Sequence, residues 1–219
     1  MPKQSHHEQS PKSSSGPVTS VQSNVVKRLQ AARARIQPRM LALARHFTDF
    51  VTLAKELPSH EPWDYNVEGF GALHTLNARD FSIEFDNRER PEKITVSFYR
   101  HGPADLSALP TSSQAYAELM SCLPGYGLKF TGSTAGNLSK IAVKPYVPVE
   151  FRILADIPGA AIRIFLRNVE DLGVFHYAFN PEDVDVKFMA AVDALLLHQP
   201  GGDFHRIAGK ALGDGPTKL

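Results

Sequence analysis

The stretch from Val149 to Phe179 constrains the fold more than any other part of the chain. Three runs, 149–157, 161–168 and 173–179, alternate apolar and polar residues with a period of two, the pattern of strands that bury one face. Pro158-Gly159 supplies a turn between the first two, and Val169–Leu172 links the second pair. With Ile157 facing Ala160, Phe151 pairs with Leu166, Ile153 with Ile164 and Ala155 with Ile162. With Asn168 facing Gly173, a register chosen independently, Leu166 pairs with Phe175, Ile164 with Tyr177 and Ile162 with Phe179. All nine residues fall on one face, and a slip of one residue in either register would mix the faces. An antiparallel meander with one core face follows.

A second strand pair precedes it. Phe81, Ile83 and Phe85 alternate with polar residues in 79–86, as do Ile94, Val96 and Phe98 in 93–100, and the link 87–92 makes them a hairpin. In that hairpin Phe85 faces Ile94, Ile83 faces Val96, Phe81 faces Phe98 and Asp86 faces Lys93. Residues 58–78 read as a loop with an irregular strand near Gly69–Leu76, and Leu138–Val143 as an edge strand.

The helices are read from a different period. Apolar residues recur from Val25 through Leu29, Ala32, Ile36, Met40, Leu43, Phe47, Phe50 and Ala54 to Leu57 at steps of three and four, a long amphipathic helix. Thr19 and Gln22 have the form of a capping box at its start, Pro38 implies a kink or a division into two helices, and Pro58 ends it. A short helix is expected at Ser112–Leu123 with Thr111 and Gln114 as its capping box, stopped by Pro124-Gly125. A last helix should open at Asn180-Pro181 and bury Val184, Phe188, Met189, Val192, Leu195 and Leu196. The expected fold class is α+β: an antiparallel sheet of about five to seven strands, hairpin plus C-terminal meander. Helices pack on one face and a long N-terminal amphipathic helix comes first. Strands do not alternate with helices, which excludes a doubly wound sheet.

Four segments follow: a polar leader at 1–18 expected to be disordered, a basic helix at 19–57, an α+β core at 58–200 and a flexible tail at 201–219. No apolar run approaches the length of a membrane span, the leader has no apolar signal core, and Cys122 is the single cysteine. Together these point to a cytoplasmic protein without disulfides. Charge is divided unevenly: residues 1–60 carry a net +6 and the remainder −5. The basic arm therefore docks on the acidic body, is simply solvated, or meets an anionic partner such as nucleic acid, through Arg28, Arg33, Arg35, Arg39 and Arg45.

Chemistry-bearing patterns are sparse. On the face opposite the meander core, the rows read Glu150–Arg167–Val174, Arg152–Phe165–His176 and Leu154–Arg163–Ala178. Arg152, Arg163 and Arg167 around Phe165 and His176 form either an ordinary solvated face, with a Glu150–Arg167 cross-strand pair, or a recognition patch for carboxylate, phosphate or an acidic protein surface. The glycine-rich stretch 125–140 lacks the spacing of a phosphate loop, since three residues separate Gly132 from Gly136 and Lys140 comes four later. Cys122 falls in the last turn of its helix, where the dipole disfavours a thiolate. The histidines beyond the leader are scattered singly, so no metal site and no cofactor are expected, and an acid–base pair such as His74 or His101 with Asp80 or Glu84 would have to be assembled by the fold. The sequence favours a non-catalytic interaction domain that binds a protein partner, or itself, through the N-terminal helix or the arginine face. A nucleic-acid-binding accessory protein and an enzyme with a fold-assembled site are the alternatives. No membrane association is expected.

Overall fold

The computed structural model of the protein describes residues 17–57, 61–108, 112–135, 138–197, 199, 204–209 and 217–218. The leader before Pro17, Thr111 of the second capping box and most of the tail lie outside the described residues, as do the side chains of Thr19 and of 134–139.

A 40-residue helix, α1 (Pro17–Glu56), opens the chain. It begins two residues earlier than the capping-box reading placed it, with Pro17 in the first turn, where a missing amide donor costs nothing. Pro38 does not divide it into two helices: it lies inside one helix that runs from Pro17 to Glu56. The stripe that hugs the sheet, from Ile36 and Met40 through Leu43, Phe47, Phe50 and Val51 to Ala54, is buried on both sides of the proline. At about 1.5–3 kcal/mol for each large side chain, that burial outweighs one lost hydrogen bond.

Strands β1 (Trp63–Val67), β2 (Gly71–Phe85), β3 (Lys93–His101), β7 (Tyr146–Asp156), β8 (Ala161–Arg167), β9 (Val174–Phe179) and β10 (Thr217–Lys218) form one antiparallel sheet in the order β1-β2-β3-β7-β8-β9-β10. The segment between β3 and β7 carries a sheet of its own. In it β4 (Leu106–Ala108), β6 (Leu138–Val143) and β5 (Phe130–Ala135) make a small sheet in that order, and α2 (Ser113–Tyr126) lies between β4 and β5 in sequence. The meander has the register read from the sequence, with Phe151 opposite Leu166, Ile153 opposite Ile164, and Ile164 opposite Tyr177. Its apolar face joins α1, α3 (Val186–Leu196) and α4 (Phe204–Ala208) in the main core, so these three helices pack on one face. A second core gathers Tyr65, Val67, Leu73 and Leu76 with Leu119 and Leu123 of α2 and Ile141 and Val143 of β6.

Several local expectations are corrected. Residues 58–78 hold β1 and the first half of β2, a strand that continues to Phe85. Its alternation breaks at Thr75 and Asp80, which take φ of +58° and +59°, and the β2–β3 register shifts between Arg79 and Ser82. Such a bulge re-aims the side chains and hides one long strand from a period-two reading. Phe85 faces Ile94 and Ile83 faces Val96 as expected, whereas Phe81 falls within the register shift and stacks on Phe98 with ring centroids 4.5 Å apart. Asp86 lies beside Lys93, yet its carboxylate accepts the backbone N–H groups of Glu92 and Lys93, capping the hairpin loop. Helix α2 starts from Ser112, whose side chain accepts the Ala115 N–H. It continues through Pro124 to Gly127, where a left-handed residue (φ 72°) lets Leu128 N–H return to the Leu123 carbonyl. Asn180 opens only a short 3-10 turn, Pro181–Asp183, and α3 begins after Asp185, which caps the Phe188 N–H.

Candidate functional site

Three surfaces gather the residues singled out by their chemistry. The outward face of the meander carries Arg152, Phe165 and His176 in one row and Glu150 with Arg167 in the next, as the registers require. Phe165 and His176 stack with centroids 4.9 Å apart. The guanidinium groups, however, are already engaged. Arg152 pairs with Glu150 two residues along its own strand, and Arg163 Nε donates to Asp156 Oδ2 at 2.6 Å. Arg167 does not form the expected cross-strand pair with Glu150. It reaches instead to the Gly125 carbonyl at 3.2 Å, across the end of α2. That path needs Gly127, because a Cβ there would sit 2.8 Å from Arg167 Nη2 and 3.1 Å from Pro148 Cγ. The Gly159 N–H, with Arg163 second, holds the Asp156 carboxyl below the usual carboxylate range. An anion arriving at this face would have to displace these acceptors, although Arg152 Nε, Arg167 Nε and His176 Nε2 are buried without a hydrogen-bond partner among the described residues.

The second surface is α1. Of its arginines, Arg33 donates to Glu92 at 2.8 Å and Arg35 grips Glu182 with two bonds of 2.8 and 2.7 Å. The Arg35 contact holds the Glu182 carboxyl down at about 2, with Arg39 adding a smaller attraction. The middle of the basic arm therefore docks on the acidic body. Arg45 lies over the β2 end of the sheet, and Arg28 lines a cleft of about 300 Å³ with Val25, Leu29 and Ala32 of α1 and Ile157, Pro158 and Ala160 of the β7–β8 turn. Here the helix outruns its sheet. Exposure along one stripe falls from 50% at Val25 and 38% at Leu29 to 7% at Ala32 and 1% at Ile36. Val26 beside them is also exposed.

The third feature was not read from the sequence. Arg100 is buried where the two cores meet, its guanidinium 4.1 Å from the centre of the Trp63 ring and 5.6 Å from that of Phe98. It donates to the Tyr65 hydroxyl and the Val169 carbonyl, and Tyr65 in turn donates to the Asn168 carbonyl. Burial lowers the Arg100 pKa and pushes the Tyr65 hydroxyl up to about 12. Asn168 completes the node from a left-handed position (φ 52°), its amide donating to the Tyr126 and Pro148 carbonyls and accepting the Gly173 N–H. The signal for Arg100 was present: it continues the inward series Ile94, Val96, Phe98 at the same period.

Near this node the fold does assemble a histidine–carboxylate pair, with a different acid from those expected. His74 Nδ1 lies 2.8 Å from Asp64 Oδ2, beside a cleft of about 540 Å³ lined by Trp63, Thr75 and Glu170. The His74 bond, then the Thr75 N–H, lowers the Asp64 carboxyl. Both partners are mostly exposed, so water screens the pair. Burial raises the Cys122 thiol, which suits a packing role better than a nucleophile. Among the described residues no three His, Cys, Asp or Glu side chains are grouped to hold a metal ion, and no helix is long and apolar enough to cross a membrane. Comparison of the chain with protein-family models, curated proteins and solved structures found no match.

Proposed function

We propose that this chain is a non-catalytic interaction domain that docks a protein partner on the first turns of α1. The observation that carries this reading is the apolar stripe running off the end of the core: Val25 and Leu29 continue the line of Ala32 and Ile36, but are left 50% and 38% exposed. Apolar residues placed in register on a helix and left in water are stabilised when another surface takes them up. Lys27 and Arg28 flank the stripe, so the surface suits a partner with an apolar ridge bordered by acidic side chains. The arginine face is the less favoured surface because its guanidinium groups already have acceptors. Nucleic acid is disfavoured for the same reason at Arg33 and Arg35, which are engaged by Glu92 and Glu182.

The test is affinity capture from cells with the full chain, a Val25→Ser/Leu29→Ser variant and an Arg152→Ala/Arg163→Ala variant. The first pair of substitutions lies on exposed positions and should leave stability within about 0.5 kcal/mol of the original. Proteins captured by the original chain and lost with Val25→Ser/Leu29→Ser support the reading. Loss only with the arginine variant would move the docking surface to the sheet, and identical capture by all three would overturn the proposal.

A further inference from the structure

A different surface supports a second, independent inference. Strand β2 is paired unequally along its length: residues 71–76 lie beside β1, whereas residues 82–85 lie beside β3. Among the described residues no strand pairs with the other side of 82–85. The hairpin ladder shows which backbone groups that side exposes. Asp86 N–H donates to the Lys93 carbonyl, so by alternation Glu84 and Ser82 also point toward β3, and Ile83 and Phe85 direct their N–H and C=O outward. The Ile83 and Phe85 side chains are half-buried and turn toward α1, where with Leu41 and Ala44 they floor a groove of about 830 Å³.

This edge lacks several of the usual guards. Residues 82–85 contain no proline, no lysine and no charge on the α1 side. The bulge at Asp80 and the turn at Asp86 limit the exposed ladder to a few residues. The groove rim carries Arg45 and Arg88 against Asp49 and Glu89, a balance of two charges of each sign. A partner of one sign would leave half of that rim opposed to like charge, whereas a patch that mixes both signs over an apolar floor can complement itself across a two-fold axis.

We infer that β2 is the dimerisation edge of this protein, pairing antiparallel with β2 of a second copy about a two-fold axis at Ile83. In that register Ile83 meets its own counterpart in a hydrogen-bonded pair and Phe85 lies opposite Phe81. On the outer face Ser82 of each copy faces Glu84 of the other. The axis sets the two α1 helices antiparallel, with Arg45 of one running toward Asp49 of the other. Pairing consumes the edge, so the assembly closes at two copies. The groove begins at Leu41, twelve residues beyond Leu29 and so about 18 Å along the helix from the stripe proposed for a partner. The two surfaces can succeed or fail separately.

Sedimentation equilibrium of the full chain, from low to high micromolar concentration, tests the inference. A monomer–dimer equilibrium is expected, with amide exchange at Ile83 and Phe85 slowing as concentration rises. Ile83→Pro removes an N–H that the monomer's ladder does not use, so it should yield a folded monomer. Should that variant fail to fold, the charge pair carries the test: Arg45→Asp alone should weaken association at least tenfold, and Arg45→Asp with Asp49→Arg should restore it. The inference is overturned by a chain that stays monomeric at the highest concentration, by a dimer that survives in folded Ile83→Pro, or by a double charge variant no better than the single one. A monomer that accepts an added strand peptide at β2 would likewise overturn it, since the edge would then serve a foreign strand.

Discussion

Replacing Asn168 by Asp exchanges one NH₂ for an oxygen at a fully buried position and should turn the stability of this protein into a function of pH. The native amide donates to two carbonyls, of Tyr126 and Pro148, and accepts from Gly173 N–H, all within 2.9 Å. A protonated carboxyl keeps the Gly173 contact but has a single O–H, so one carbonyl loses its donor at a cost of about 1–3 kcal/mol. An ionised carboxylate would set a negative oxygen against both carbonyls in a site with no exposure, so the folded protein holds the acid protonated and raises its pKa far above the ordinary ~3.9. Above about pH 4 the unfolded chain releases that proton and the native state keeps it. The native state then binds one more proton than the unfolded state, and stability falls by about 1.36 kcal/mol per pH unit until the raised pKa is reached.

Between pH 4 and 6 that slope removes about 2.7 kcal/mol, which with the lost donor brings the deficit to about 4–6 kcal/mol. Such a loss rivals the whole stability of many domains, about 5–15 kcal/mol. Both Asn and Asp accept the left-handed backbone, so the exchange isolates the proton, whereas Asn168→Ala adds strain at φ 52° and should cost a similar amount at every pH. Urea unfolding of original and variant at each pH from 4 to 7, followed by circular dichroism and by the fluorescence of Trp63, the chain's one tryptophan, gives the difference directly. A difference that does not change with pH, or one below about 1 kcal/mol at pH 6, would refute the hydrogen-bond assignment at this node.

Two further expectations concern charge. The Glu182 carboxyl, held at about 2 chiefly by its hydrogen bond with Arg35, contributes stability that is present above about pH 4.5 and lost as pH falls toward 2. Compared with Glu182→Gln, the original chain should lose its advantage within that window, and an advantage persisting at pH 2 would contradict the assignment. Arg100→Lys keeps the charge but gives up the guanidinium plane over Trp63, worth about 0.5–2 kcal/mol, so the urea midpoint should fall and the Trp63 emission should shift together. Unchanged emission would place the guanidinium elsewhere.

The parts of this fold legible from sequence are those where a period and a buried face coincide. The meander could be registered residue by residue because Phe151, Ile153, Ile164 and Tyr177 lie on strands with no bulge, so every apolar position votes for the same pairing. The same reasoning failed on β2, where positive φ at Thr75 and Asp80 breaks the alternation and cuts one strand into apparent fragments. Arg100 was missed for a different reason. Its position was inward, but the partners that make a buried guanidinium tolerable, Tyr65 and Val169, come from segments 35 and 69 residues away.

The two surfaces proposed for association were illegible for a cause that no local pattern can supply. Val25 and Leu29 belong to the same helical stripe as Ile36 and Met40, and Ile83 and Phe85 to the same strand face as Phe81. In both cases the residue types promise burial and the fold leaves part of it unfulfilled, because the covering element is too short: the sheet stops before α1 does, and β1 pairs with only the first half of β2. Sequence periodicity reports which side of an element is apolar. How far that side is covered depends on the lengths of its neighbours, and the uncovered remainder of an otherwise buried stripe or edge is where a second molecule gains most by docking.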